Sequence, residues 1–261
     1  MNQNDKVVEN LLEMSNKLSG PLVELLKPPF KVLGEGIESI IKIVFFPFNI
    51  IGDKIDSIRK FKKNIADSIN RINEEDFICP ELNKIGPVLE ASKFYVENEI
   101  LSKMFANLLA SSCNKMKKNI AHVSFVEVIK QLSPEEANLL VDLYVNRNEY
   151  GCVNLIKKQS INDYDGVINR YIPSKYVDEN YFIDKETYGL YIDNLCRLSL
   201  IEFTDEMFSE DYKYDNFERT RLFKECKNLY NEKLDMIKCY WEFTTFGLLF
   251  TQICLGITTD Y

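Results

Sequence analysis

The chain has 261 residues, of which 46% are hydrophobic and 28% are charged, and its formal net charge is −8. This length and apolar content suffice for one large or two small globular domains and exclude a chain that is disordered throughout. The negative charge repels nucleic-acid phosphates at long range, so it disfavours a general DNA-binding protein unless a local basic patch outweighs it.

The N-terminal residues, MNQNDKVVEN, are polar, and no small-residue cleavage site follows an apolar stretch. A secretory signal peptide has the opposite pattern, so we expect a cytoplasmic protein. Apolar residues at 7–18 and 22–26 predict two short helices, which end at Gly20-Pro21 and Pro28-Pro29. The two breaks predict a hinge before the next segment.

A long stripe of apolar residues follows, spaced alternately by four and three positions. It comprises Ile37, Ile41, Val44, Phe48, Ile51, Ile55, Ile58, Ile65, Ile69 and Ile72, with Lys62 at the one skipped position. This heptad spacing predicts one helix from about Gly36 to Asn73, kinked at Pro47 and weakened at Gly52. Its seam needs a partner, either a helix predicted at 88–117 or a second copy of the chain, and we favour the intramolecular bundle.

Within this helix an uncharged apolar segment, residues 43–52, precedes a run of basic residues. The segment is too short to span a bilayer, which takes about 20 apolar residues. An apolar wedge beside lysines is typical of a helix on an anionic membrane surface. Two alternatives stay open: a buried wedge with solvated lysines, and phosphate contacts to nucleic acid. The candidate membrane or partner contacts are therefore Phe45, Phe46, Phe48, Lys54, Arg59, Lys60, Lys62 and Lys63.

The central part of the chain carries helix signals of two kinds. An apolar stripe from Phe94 to Leu109 predicts the 88–117 helix, with Pro87 in its first turn after a linker. The sequence Ser133-Pro134-Glu135-Glu136 is a capping box, and Ser124 with Glu127 forms a second candidate. Helices are therefore expected to begin near both serines.

Beyond Gln131 the predicted elements become shorter. They are helices at 134–147 and 185–198, a connection at 151–157, β-like runs at 200–203 and 239–243, a helix within 216–235 and a terminal helix at 245–255. Two helices followed by a hairpin is the order of a winged helix. The fold class predicted from the sequence is therefore mainly α: an N-terminal long-helix bundle, then a winged-helix-like α+β unit with a small β-hairpin.

The predicted domain boundaries follow from this order, with an N-terminal helical region at 1–76, a central helical region at 77–131 and the winged-helix-like domain at 132–261. The candidate recognition helix at 185–198, counted with Asp184, carries a net charge of −1, which makes it a poor reader of DNA. A structural or protein-interaction module is the better interpretation. Tyrosines at 164, 171, 176, 181, 188 and 191 support it, since tyrosine is enriched at interfaces.

Residues for catalysis, metal binding or cofactor binding form no recognisable motif. The seven cysteines are scattered without a C-x-x-C pair, so we expect reduced and mostly buried thiols. The single histidine, His122, has no paired nucleophile and is interpreted as a loop or helix-cap residue. Gly34-Glu35-Gly36 lacks the further glycine and lysine of a phosphate loop. We therefore predict no catalytic, metal or cofactor residues.

One set of motifs runs through most of the chain. It comprises Phe105-Ala106-Asn107-Leu108-Leu109-Ala110, His122, Phe125 and 131–137 (QLSPEEA), with weaker matches at Pro28-Pro29, Gly34 and Gly36, 195–201 (LCRLSLI) and 243–247 (FTTFG). Together these motifs resemble the abortive-infection alpha (Abi-alpha) family of bacterial phage-defence proteins. The chain departs from the family pattern at Val123, where a proline is expected, and at Ser199, where glycine is usual. The resemblance implies a defence role and supplies no catalytic residue.

Three functional hypotheses follow. The favoured one is a non-enzymatic phage-defence protein that acts through a protein partner, self-association or peripheral contact with an anionic inner membrane. The first alternative is a winged-helix regulator that binds DNA, although DNA binding is disfavoured by the charge of residues 185–198. The second is an enzyme whose carboxylate site carries no sequence motif.

Overall fold

The computed structural model describes residues 22–45, 54–148, 150–160, 163–204, 214 and 217–257. Over these residues the fold is mainly helical, as predicted, with one small antiparallel sheet. The chain divides into two compact units. The first runs to Gln131 and resumes at Gln252, and the second is Leu132–Thr251. The described parts of the regions predicted separately at 1–76 and 77–131 thus fall in one unit, which also includes residues 252–257.

The described part of the first unit is built from helices. These are α1 (Leu22–Leu25), α2 (Lys31–Phe45), α3 (Ile55–Ile69), α4 (Leu82–Ser92), α5 (Glu99–Ser112) and α6 (Ser124–Lys130). Helix α5 lies at the centre, because its residues from Leu101 onward are buried with the exception of Lys103. Helix α3 packs along α5 within the same chain, which is the intramolecular arrangement that the sequence favoured for the heptad stripe.

Most of the described heptad stripe is buried, and only Val44 and Ile55 are half-buried. Its buried members are Ile37, Ile41, Ile58, Ile65, Ile69 and Ile72. The stripe is carried by α2 and α3, with α2 beginning five residues before the predicted start at Gly36 and α3 ending at Ile69. Residues 46–53, which include Pro47 and Gly52, lie outside the described residues, as do the first predicted helix at 7–18 and its Gly20-Pro21 break. The short helix predicted at 22–26 is confirmed as α1.

The single helix predicted at 88–117 is wrong, because the structure has α4 and α5 with a turn between them. The side chain of Asn98 accepts a 3.0 Å hydrogen bond from the N–H of Leu101 and so starts a new helix. Phe94, which the stripe placed on the buried face, lies in the turn and is exposed. Pro87 stands inside α4 rather than in its first turn, since α4 already begins at Leu82.

The second unit combines helices with a four-stranded sheet. Its elements are α7 (Pro134–Val145), β1 (Cys152–Ser160), β2 (Asp163–Tyr171), α8 (Lys175–Glu179), α9 (Lys185–Arg197), β3 (Ile201–Thr204), α10 (Arg221–Tyr230), β4 (Leu234–Phe243) and α11 (Thr245–Phe250). The strand order is β2-β1-β4-β3, and the paired strands run antiparallel. A π-helical turn, Thr251–Leu255, follows α11 directly.

Most predicted elements of this unit are confirmed. Helices lie at α7, α9 and α10, and the two predicted β-runs pair as β3 and β4, with Ile201 opposite Phe243. The capping box at Ser133 is complete. The connection predicted at 151–157 is wrong, because these residues form most of β1, and β2 was not predicted. Pairing with β4 on one side and β2 on the other makes β1 a central strand, a long-range effect that its local pattern does not reveal.

Candidate functional site

The sequence assigned Lys62 to an exposed basic surface, and this assignment is wrong because the side chain is buried. Lys62 is 2% exposed, and its ammonium lies 3.4 Å from Oε1 of Glu38, which is also buried. Burial lowers the pKa of Lys62 below its usual range, and the Glu38 carboxylate opposes that shift. Lys62 occupies a position of the heptad stripe, and that position points inward. It therefore joins α2 to α3 through a buried ion pair.

The other predicted basic residues lie at the surface of α3 in a neighbourhood of mixed charge. Lys54 and Arg59 each pair with a carboxylate, at 3.0 Å and 3.1 Å respectively, and Lys60 and Lys63 are exposed. A groove of about 370 Å³ beside them is lined by Ser57, Lys60, Lys63, Asn64, Asp67, Val96, Glu97, Glu99 and Ser102. Three acids and two lysines line this groove. It is therefore not the uniformly basic surface that anionic lipids attract.

The aromatic part of the predicted membrane contact is not described by the structure. Phe46 and Phe48 lie outside the described residues, and Phe45 is the last residue of α2, with its side chain also undescribed. In the part of the chain that the structure describes, no helix is both long and apolar enough to cross a membrane. Peripheral membrane contact through these residues stays a prediction.

A loop at the surface of the second unit is held by one arginine. Nη2 of Arg221, the first residue of α10, lies 3.2 Å, 3.2 Å and 2.7 Å from the carbonyl oxygens of Val177, Asn180 and Ile183. The backbone N–H of Arg221 also donates to Asp178, at 3.2 Å. A charged guanidinium makes stronger hydrogen bonds than a neutral donor, so this clamp fixes the loop in one conformation.

The clamped loop presents two adjacent aromatic side chains to solvent. Tyr181 is 81% exposed and Phe182 is 67% exposed. The guanidinium carbon of Arg221 lies 5.5 Å from the centre of the Tyr181 ring, a cation–π contact that orients the ring. Large aromatic side chains that are already fixed lose little conformational entropy on binding. We call Tyr181, Phe182 and Arg221 the aromatic clamp.

Two of the tyrosines predicted at an interface belong to the core instead. Tyr171 and Tyr188 are buried with their rings edge to face, and the hydroxyl of Tyr188 donates to the carbonyl of Ile172 at 2.9 Å. Burial raises the pKa of Tyr188 well above its usual value. Tyr176 and Tyr191 are half-buried. Among the predicted tyrosines whose burial the structure describes, Tyr181 is thus the one that lies fully at the surface.

His122 and the cysteines have local structural roles. His122 is exposed, and its Nδ1 lies 2.7 Å from the hydroxyl of Ser124 at the start of α6. The capping box predicted at Ser124 is not formed. None of the seven cysteines forms a disulfide, and five of them are buried, as predicted for packed thiols. The described ranges contain no group of three or more His, Cys, Asp and Glu residues that could hold a metal.

A small polar pocket lies in the first unit, between α3, α5 and the C-terminal segment. Its volume is about 220 Å³, and it is lined by Ser68, Arg71, Ile72, Asn107, Ala110, Ser111, Asn114, Lys117, Gln252, Ile253 and Gly256. Asn107 lies at its base. The side-chain NH₂ of Asn107 donates a 2.9 Å hydrogen bond to the carbonyl of Cys254, and its side-chain oxygen accepts a 2.8 Å hydrogen bond from the hydroxyl of Ser68. We call this cavity the Asn107 pocket. The sequence did not predict that its two cationic side chains, Arg71 and Lys117, line one pocket, because they belong to separate segments of the chain.

The two C-terminal motifs quoted from the sequence meet in one junction of the second unit. The backbone N–H of Thr244 donates to the carbonyl of Leu200 at 3.2 Å, and its hydroxyl donates to the carbonyl of Ser199. Gly247 lies so close to Leu200 that a Cβ on it would stand 1.9 Å from the Leu200 carbonyl oxygen. Residues 195–201 and 243–247 are therefore packing motifs.

Comparison with known proteins supports the resemblance. The family model described as abortive infection alpha matches residues 54–254. Comparison with curated proteins gave no match, and comparison with solved structures gave none either. The matched span includes the FANLLA motif with Asn107, the aromatic clamp and the junction at Gly247.

Proposed function

Because this chain belongs to the abortive infection alpha family, we propose that it is a phage-defence protein that acts by binding a partner protein, without catalysing a reaction. The observation that carries this proposal is the aromatic clamp. Tyr181 and Phe182 stand exposed on a loop whose three carbonyls are held by Arg221. Aromatic residues that are rigid before binding are the usual energetic anchors of protein interfaces.

The charges around the clamp support a protein partner over a membrane or a nucleic acid. Glu186 is paired with Lys185, but Glu179 and Asp184 are exposed carboxylates that flank the aromatic pair in the sequence. These carboxylates repel anionic headgroups and phosphates, while an apolar protein patch with a basic rim would complement them. We place this action in the cytoplasm.

The two other hypotheses have less support. A winged-helix regulator would need α9 to approach DNA, and the exposed face of α9 carries Glu186, Asp193 and Arg197. An enzyme would need carboxylates that converge with raised pKa values. Burial raises the pKa of Asp178, but its oxygen accepts the N–H of Arg221 and so serves the loop.

The test compares phage plating on cells that carry the gene or its variants. Tyr181→Ala/Phe182→Ala should lose protection while the purified protein keeps its melting temperature, because both side chains are exposed. The matched control is Leu82→Ala/Phe94→Ala, which removes two side chains that are 66% and 65% exposed in the first unit. The control should protect like the wild type.

A third variant tests the clamp itself. Arg221→Lys keeps the charge, but a single ammonium cannot bond the three carbonyls and also Glu225, which Nη1 of Arg221 binds at 2.8 Å, so protection should fall while the protein stays folded. Full protection by Tyr181→Ala/Phe182→Ala would refute the partner surface. A wild-type gene that protects against none of a broad phage panel would refute the defence role itself.

A further inference from the structure

We propose that the Asn107 pocket binds a small phosphomonoester as its dianion. The inference rests on a different unit and different residues from the aromatic clamp, so it goes beyond the proposed function and can fail independently of it. Two cations, Arg71 and Lys117, line the pocket together with neutral amides and hydroxyls. No carboxylate is among its described lining residues, in a chain whose net charge is −8.

Neither cation is used by the rest of the described structure. Within the described ranges, neither Arg71 nor Lys117 makes an ion pair or a side-chain hydrogen bond. Arg71 is exposed and Lys117 is half-buried, so both side chains can be reached by a ligand from solution. A bound dianion would give both cations a partner.

The helix ends near the pocket do not account for the two cations. Lysine and arginine often stabilise the free carbonyls at the end of a helix. At the end of α5, however, backbone donors already occupy two of them: Cys113 N–H donates to the carbonyl of Ala110 at 2.9 Å, and Asn114 N–H donates to the carbonyl of Ser111 at 3.2 Å. The cations are therefore available to a ligand.

Neutral donors complete the recognition set. The side-chain oxygen of Asn114 accepts the N–H of Met116 at 2.8 Å, which leaves its NH₂ group to donate. Ser111 and Gln252 add a hydroxyl and a second amide to the lining. Phosphate oxygens accept hydrogen bonds from such groups, and arginine binds them in a bidentate manner. The Asn107 bonds to Ser68 and Cys254 hold the base of the pocket in place.

The size and charge of the pocket select the ligand class. A volume of about 220 Å³ holds roughly seven water molecules at about 30 Å³ each, and it lies below the range of drug-sized sites. It suits a phosphoryl group with a few further atoms. A phosphomonoester carries a charge near −2 at pH 7, which matches two cations, whereas a phosphodiester carries only −1.

The first experiment titrates the full-length protein with glycerol 3-phosphate by calorimetry at low salt. Binding should weaken as the pH falls from 7.5 to 5, because the phosphoryl group takes up a proton near pH 6. The described lining holds no carboxylate and no histidine, so the ligand is the group that titrates. Sulfate, which stays a dianion, should bind without that pH dependence. Binding to vesicles with phosphatidic acid but not to glycerol 3-phosphate would identify a lipid headgroup as the source.

The second experiment uses charge variants. Arg71→Gln/Lys117→Gln should weaken binding by roughly tenfold or more, the usual worth of charged hydrogen bonds. Asn114→Asp keeps the acceptor for Met116 and adds a negative charge, so it should abolish binding in a folded protein. The matched control, Lys115→Gln/Lys118→Gln, changes the net charge equally at exposed lysines outside the pocket. Equal losses in the pocket and control variants, or no binding of either ligand form by the wild type, would overturn the proposal.

Discussion

The side-chain amide of Asn107 donates a 2.9 Å hydrogen bond to the backbone carbonyl of Cys254, which lies 147 residues further along the chain. Gly256 follows in the left-handed region with φ of +67°, and a Cβ on it would stand 3.1 Å from Nδ2 of Asn107. One amide thus ties α5 to the C-terminal segment at close range. Asn107, the asparagine of the FANLLA motif, therefore has a structural role.

Asn107→Leu should lower the free energy of unfolding by about 1–3 kcal/mol, because it leaves the buried Cys254 carbonyl without its donor. Thermal and denaturant unfolding would measure the loss. Asn138→Leu is the control, since Asn138 is exposed and its amide donates to the carbonyl of Pro134 in its own helix. A loss in Asn107→Leu no larger than in the control would contradict this role.

The buried pair Lys62–Glu38 predicts strong coupling between two substitutions. Lys62→Met leaves the Glu38 carboxylate buried with only Lys42 nearby, at 3.6 Å, and should cost about 3–5 kcal/mol. The double variant Glu38→Met/Lys62→Met removes both charges, so it should be much more stable than the sum of the two single losses. Denaturant unfolding of all four proteins closes the cycle.

Lys63→Met serves as the control, because Lys63 is exposed and the change should stay within about 0.5 kcal/mol. Additive losses from Glu38→Met and Lys62→Met would show that the two charges do not interact.

The helical periodicity of the apolar residues predicted much of the fold, and the predictions that failed have physical reasons. The spacing of the isoleucines placed Lys62 on the buried seam, yet the run of lysines around it suggested an exposed surface. Periodicity indicates which side of a helix a residue faces. It does not reveal the ionic partner of Lys62, which is Glu38, 24 residues earlier in the chain. The split between α4 and α5 was missed because a single cap at Asn98 interrupted a continuous apolar stripe.

The candidate sites were harder to predict than the elements. The aromatic clamp depends on Arg221 reaching carbonyls 38 to 44 residues earlier in the chain, and backbone carbonyls leave no trace in the side-chain pattern. Tyr181 was among the predicted interface residues, but Phe182 and Arg221 were not. The Asn107 pocket joins residues from three distant segments. Long-range pairing with β4 also explains β1, which was predicted as a connection.

Alkaline pH should destabilise the protein in part through Cys113. Burial raises the pKa of this thiol from 9.0 to about 12. The unfolded chain therefore releases the proton near pH 9, while the folded chain keeps it, so stability present below pH 9 is lost as the pH rises toward 12. Between these values the wild type should lose about 1.4 kcal/mol more per pH unit than Cys113→Ala. Parallel pH profiles for both proteins would contradict this expectation.

Two glycine-to-alanine substitutions should have opposite effects. Gly247→Ala puts a Cβ against the backbone of Leu200, at 1.9 Å from its carbonyl oxygen, and should cost about 3 kcal/mol or more. Gly36 lies within α2, is not followed by proline, and a Cβ there meets no other group within 4 Å. Gly36→Ala should therefore stabilise by about 0.5–1 kcal/mol, since alanine favours the helix. Melting temperatures of the two variants that move in the same direction would refute this difference.

Ser199 stands in a conformation that favours glycine, at the position where the family usually has one. Its φ is +55°, and it follows α9 in a Schellman motif, with Ser199 N–H donating to Cys196 at 2.8 Å and Leu200 N–H to Leu195 at 2.9 Å. A non-glycine residue in this region costs about 1–2 kcal/mol. Ser199→Gly should relieve that strain and, after the entropy of the more flexible unfolded chain is subtracted, raise the melting temperature by roughly 2–4 °C. Ser199→Ala keeps a Cβ at the same φ and should leave the melting temperature near that of the wild type. Equal shifts in the two variants would mean that the backbone conformation of Ser199 is not the cause.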